Sequence, residues 1–127
     1  ILVYPMIDAT CHLPSHTEFD NGPGPSSLDM RAGWDAWLPP ETDRRSPRVS
    51  PLCAENLSVL PRTLLVTAGR DPLRDEGLLL AARVAQSQVP LTEIHYPNHI
   101  HGFLTYPAAF AAARETVETC AEFLTRP

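Results

Sequence analysis

Thr63-Leu64-Leu65-Val66-Thr67-Ala68 runs without hydrophobic alternation and is closed by Gly69. A strand with one face in water alternates, so this run predicts a strand covered on both faces, as in parallel sheets. Leu73 to Gln88 then carries a helical pattern. Asp75 and Glu76 sit near its positive end, Leu79, Ala82 and Val84 are available to face the sheet, and Pro90 stops it. Leu91 to Tyr96 predicts another strand. From Ala108 onward, Phe110, Ala113, Val117, Cys120 and Leu124 recur at three- and four-residue intervals and predict an amphipathic helix ending at Pro127. Strand, helix, strand, helix is an α/β arrangement, with a mostly parallel sheet, flanking helices and right-handed crossovers.

The opening run ILVYPMI predicts a further buried strand at about residues 1–6. Three parallel strands make a thin sheet, and such sheets normally have more members. The expectation is therefore that residues 1–127 are the C-terminal part of a larger domain. Residues 10–50 read as an irregular excursion, in keeping with the 14 prolines of the chain. One short helix is expected there, capped by Ser27, with Met30, Trp34, Trp37 and Leu38 as its apolar face. Trp34 and Trp37 are the only tryptophans, and they must pack on the domain body or rim a pocket.

Charge and cysteine usage narrow the function classes. Ten Lys and Arg against 15 Asp and Glu give a net charge of −5, which offers no positive field for nucleic acid or anionic lipid. No apolar stretch is long enough to span a membrane. Three widely spaced cysteines, Cys11, Cys53 and Cys120, are not a disulfide framework and favour a reducing, cytoplasmic setting. His12 and His16 have the spacing of helical metal ligands, with Cys11 and Asp20 nearby, but Pro14 between them argues against a helix. Asn56-Leu57-Ser58 is a glycosylation sequon that matters only in a secreted protein.

The chemistry is expected where parallel strands end, since ligands gather at their C-terminal edge. Two loops leave such ends. One contains Arg70-Asp71-Pro72-Leu73-Arg74-Asp75-Glu76, the other Asn98-His99-Ile100-His101-Gly102-Phe103. Pro72 holds Asp71 extended ahead of the helix. An Asp beside a His fixes the imidazole tautomer and stabilises the cation that forms when the ring takes a proton. Histidine suits the task because its pKa of about 6.5 lets it accept and return that proton near neutrality. The alternative is that Asp71 caps a helix and His101 is an ordinary loop residue.

In these motifs the chain resembles the hormone-sensitive-lipase-like esterases of the α/β-hydrolase superfamily. The acid motif of that group, Asp-Pro-Leu-x-Asp-Glu, stands here as DPLRDE over residues 71–76, and its His-Gly-Phe motif as His101-Gly102-Phe103. ILVYPMID at the start, Ser50-Pro51 and LPRTLLVTAG fall in the family's order as well. The resemblance covers essentially the whole chain and implies the C-terminal half of an α/β-hydrolase fold, with Asp71 as the triad acid and His101 as its base. Asn98-His99 replaces the glycine-containing turn usual before the histidine.

The resemblance also implies a serine that attacks a small or medium acyl ester, and no metal or organic cofactor. Neither Gly-x-Ser-x-Gly nor a His-Gly-Gly-Gly oxyanion loop occurs in the chain. The partner it implies is an N-terminal portion of the same protein that carries the nucleophile. The chain alone is therefore expected to be inactive. Phe103, Trp34 and Trp37 are expected to line the substrate pocket. Asp75 and Glu76 are expected to satisfy the helix N-terminus and to pair with Arg70 or Arg74, His99 to be a solvated loop residue, and His95 to be structural. A silent ligand-binding protein of the same scaffold, as in the gibberellin receptors, an inactive remnant on that scaffold, and a peptidase or amidase remain alternatives.

Overall fold

A computed structural model describes residues 1–125; the predicted helix end at Pro127 lies outside them. Three parallel strands stand in the order β1 (Leu2–Val3), β2 (Thr63–Arg70), β3 (Leu91–Ile100). Helix α3 (Arg74–Gln86) crosses from β2 to β3, and α4 (Ala111–Thr125) follows β3. β2 is the centre, and its pleat sends successive residues to opposite faces. Leu65 packs with Leu57, Leu80, Ala81, Val84 and Val89 on the α3 side. Leu64, Val66 and Ala68 pack with Phe103, Ala112 and Ala113 on the α4 side. A strand buried on both faces has no polar positions to alternate with, which is why its sequence is continuous.

The strand at residues 1–6 is shorter than expected, because Tyr4 turns out of the extended region at φ 32° and Pro5 has no N–H to give. The excursion carries two helices, α1 (Pro14–Glu18) and α2 (Ser27–Trp37). α1 corrects the reading of Pro14 as a helix breaker: proline occupies the first turn, where its missing N–H is no loss. α2 is capped by Ser26, not Ser27. The Asp29 N–H donates to the Ser26 hydroxyl oxygen while the Asp29 carboxylate accepts from the Ser26 N–H, a reciprocal capping box. Ser27 instead binds Asp20 through its N–H and its hydroxyl. Met30 and Trp34 fasten α2 to Ala9, Cys11 and Leu73.

α4 buries Ala112, Ala113 and Thr116, with Phe110, Cys120 and Phe123 partly buried beside them. Val117 and Leu124, predicted for this face, are exposed. The face that packs is the one bearing Ala112, Ala113, Thr116, Cys120 and Phe123, and Val117 and Leu124 each lie one residue, about 100° of helix rotation, beyond Thr116 and Phe123.

Candidate active site

Register decides which histidine meets the acid. β2 and β3 pair from Thr63 with Leu91 to Ala68 with Tyr96 at a constant offset of 28 residues. Arg70 then pairs with Ile100, an offset of 30. Two extra β3 residues bulge out opposite Gly69, where a Cβ would lie 2.1 Å from the Pro97 carbonyl oxygen, so only glycine fits. An unbroken register would carry His99 opposite Asp71. The bulge carries His101 there instead. β3 thus runs on past the Tyr96 end expected for it, and His99 is a partly buried strand residue rather than a solvated loop residue. Its ring packs against Tyr96, Phe103 and Phe110.

Asp71 and His101, expected at the ends of successive strands, meet. His101 Nδ1 lies 3.0 and 3.1 Å from the two carboxylate oxygens of Asp71. The carboxylate is fully buried, while a quarter of the His101 side chain remains exposed. Asp71 is set by a tight turn: Oδ1 accepts the Leu73 N–H at 2.8 Å, and its carbonyl accepts the Arg74 N–H at 3.0 Å as α3 begins. Gly102 at φ 75° releases the chain from β3 behind His101. The Tyr4 ring leans on the imidazole at 4.6 Å between centroids. Burial pushes the Tyr4 phenol up in pKa, and the nearby Asp71 carboxylate pushes the same way. Sequence reasoning missed Tyr4, which lies 97 residues from His101 with no pattern linking the two.

Below this pair lies a second acid–histidine contact that the sequence did not announce. Glu76 and His16 are buried, with His16 Nε2 3.0 Å from Oε1. Glu76 Oε2 accepts the Asp8 N–H at 2.8 Å and the Ile7 N–H as well. Burial pushes the Glu76 carboxyl up, and its hydrogen bonds only partly offset this. Burial pulls the His16 imidazole down, but the hydrogen bond and charge of Glu76 outweigh it and the net shift is upward. Asp75 pairs with Arg74 at 2.8 Å, as expected, and also binds Ser15. Among the described residues Glu76 pairs with no arginine; its partner is His16. His16 and Asp20, weighed as metal ligands, are thus engaged with Glu76 and Ser27.

The residues expected to line a pocket are placed differently. Phe103 is fully buried against Tyr4, Tyr96, His99 and Phe110, so it presents no surface to a ligand. Trp34 is buried under α2, whereas Trp37 is 68% exposed and stacks on Trp34 at 5.5 Å. His95 accepts or donates at Thr67 Oγ1, 2.8 Å away, in the body of the sheet.

Residues 1–105 match the family model of the α/β-hydrolase fold. The chain belongs to the α/β-hydrolase fold family. It is related to the hormone-sensitive-lipase-like esterases. It is 40% identical over 81 residues to an arylesterase of Saccharolobus solfataricus, covering 64% of this chain and 26% of that protein. It is 33% identical over 119 residues to the esterase LipI of Mycobacterium tuberculosis, covering 91% of this chain and 36% of LipI. Among solved structures it superimposes on the ester hydrolase EH1AB1 from the metagenome of Lake Arreo with a TM-score of 0.86 and 33% identity. That match covers 94% of this chain and 38% of the other. The chain spans about a third of the length of the curated relatives it matches.

Proposed function

We propose that residues 1–127 are the C-terminal part of the catalytic domain of a serine carboxylesterase, with residues 10–50 as an excursion from its sheet. The observation that carries this is the Asp71–His101 contact at the C-terminal edge of β2 and β3: a buried carboxylate on Nδ1 of an imidazole that still reaches solvent. Such a histidine takes the proton of a serine hydroxyl as the oxygen attacks an ester carbonyl, and then gives it to the departing alcohol. Asp71 holds the tautomer and stabilises the imidazolium. The same histidine then activates the water that hydrolyses the acyl-enzyme.

The serine and the oxyanion donors come from an N-terminal portion of the same protein, and the substrates are esters of small or medium acids. The esterases among the relatives support this reading, as do their greater length and the lack of a Gly-x-Ser-x-Gly in this chain. Cys11, Cys53 and Cys120 are all unpaired, which suits the cytoplasmic setting we propose.

The test is p-nitrophenyl acyl ester hydrolysis by the full-length protein and its His101→Ala and Asp71→Asn variants. Each variant is expected to lose roughly 10³–10⁴-fold in kcat with the fold intact. Hydrolysis that survives either change overturns the assignment, and a full-length protein that binds esters without turning them over is a binding protein.

A further inference from the structure

Ser15 lies in α1, 56 residues before Asp71, yet it is fully buried and knotted to the acid turn. Its hydroxyl donates to the Pro72 carbonyl at 2.6 Å and accepts the Asp75 N–H at 3.2 Å, while its own N–H donates to Asp75 Oδ2 at 2.9 Å. Asp71 and Pro72 are adjacent, so the Ser15 hydroxyl grips the chain one residue past the acid. The same excursion returns to the pair from outside. A Cβ on Gly24 would lie 3.2 Å from His101 Cβ and 3.3 Å from Pro72 Cδ, so the backbone there rests directly against both.

We propose that the excursion is a clamp on the Asp71–His101 pair, with Ser15 and Gly24 as positioning residues that hold acid and base in register. This rests on the reading of that pair as the catalytic acid and base. Neither residue touches a reacting atom; each acts through Pro72 or His101. The DPLRDE turn alone binds Asp71 only through the Leu73 and Arg74 N–H groups, both local to the turn. The grip of Ser15 anchors that turn to a different part of the chain. It resists a shift of the whole turn relative to β3, which local hydrogen bonds cannot do. Without Ser15, Pro72 loses its hydroxyl donor and the Asp75 N–H its side-chain acceptor in a site that excludes water.

The test compares Ser15→Ala, Gly24→Ala and His101→Ala in the full-length enzyme by kcat, KM and the pH dependence of kcat/KM. A misplacement well under 1 Å at a catalytic pair costs on the order of tenfold in rate. Both clamp variants should therefore lose about tenfold in kcat with KM within about twofold. The acid limb of their pH profile should move to lower pH, because a loosened Asp71 stabilises the imidazolium less.

A merely structural role lowers the melting temperature and leaves the kcat of the folded enzyme and its acid limb in place; that result overturns the clamp. If Ser15→Ala does not accumulate as folded protein, Gly24→Ala decides alone, since it alters an exposed loop. Loss of activity in His101→Ala together with normal clamp variants refutes the clamp only. Full activity in His101→Ala refutes the assignment of the pair itself.

Discussion

At the scale of single residues, a buried ion pair makes stability depend on pH. Glu76 accepts two backbone N–H groups and faces His16, an arrangement that suits a carboxylate beside an imidazolium. Of the other charged groups, Asp8 also acts on His16. The His16 pKa is raised above its unfolded value of about 6.5. Its contribution is therefore fully present below about pH 6.5 and is lost as pH rises through the folded pKa, leaving a buried carboxylate without its cation. The urea midpoint of the protein should be higher at pH 6 than at pH 8. His16→Gln, which keeps a donor but cannot titrate, should flatten that difference; an unchanged slope would assign it to another group. Glu76 is visible in the sequence as part of DPLRDE. That His16, 60 residues away, would be its partner is not, because no local periodicity links an excursion to a crossover helix.

At the scale of elements, what was readable depended on whether burial came from one neighbour or several. β2 is covered on both faces from Thr63 to Ala68, so its apolar run reported a strand directly. The apolar residues of α2 do not share a fate: Trp34 anchors the helix and Trp37 points to water. Helical spacing places both near one face, but only the tertiary fit of Met30 and Trp34 against Leu73 and Cys11 separates them. Trp34→Ala should cost about 3–5 kcal/mol by emptying that site. Trp37→Ala should stay within about 0.5 kcal/mol. Urea unfolding of the two variants measures the contrast, and equal losses would mean that α2 packs through Trp37 instead. Leu73 belongs to the same cluster and follows Pro72, so the α2 anchor also backs the acid turn.

At the scale of the whole molecule, β1 pairs with β2 on one side, and Ile1, Val117 and Leu124 expose apolar surface. In our reading the remainder of the domain carries the nucleophile. A fluorophosphonate probe should label the full-length protein at one serine outside residues 1–127, and His101→Ala should suppress that labelling. A label at Ser15, Ser26, Ser27, Ser46, Ser50, Ser58 or Ser87 would place the nucleophile within this chain and refute the two-part arrangement.

The α/β class, the parallel crossover and the candidates Asp71 and His101 were legible in the sequence itself. Each follows from local patterns: an unbroken apolar run, a helical repeat, and charged motifs at strand ends. The choice between His99 and His101 was different in kind. By residue composition either imidazole could stand beside the acid; the place of His101 after the third strand and the family motif favour it. The two-residue bulge against Gly69 shifts the register and delivers His101, because β2 and β3 are adjacent and the Pro97 carbonyl occupies the space a side chain would need. Register is a relation between strands, and a relation between distant segments exists only once they are packed.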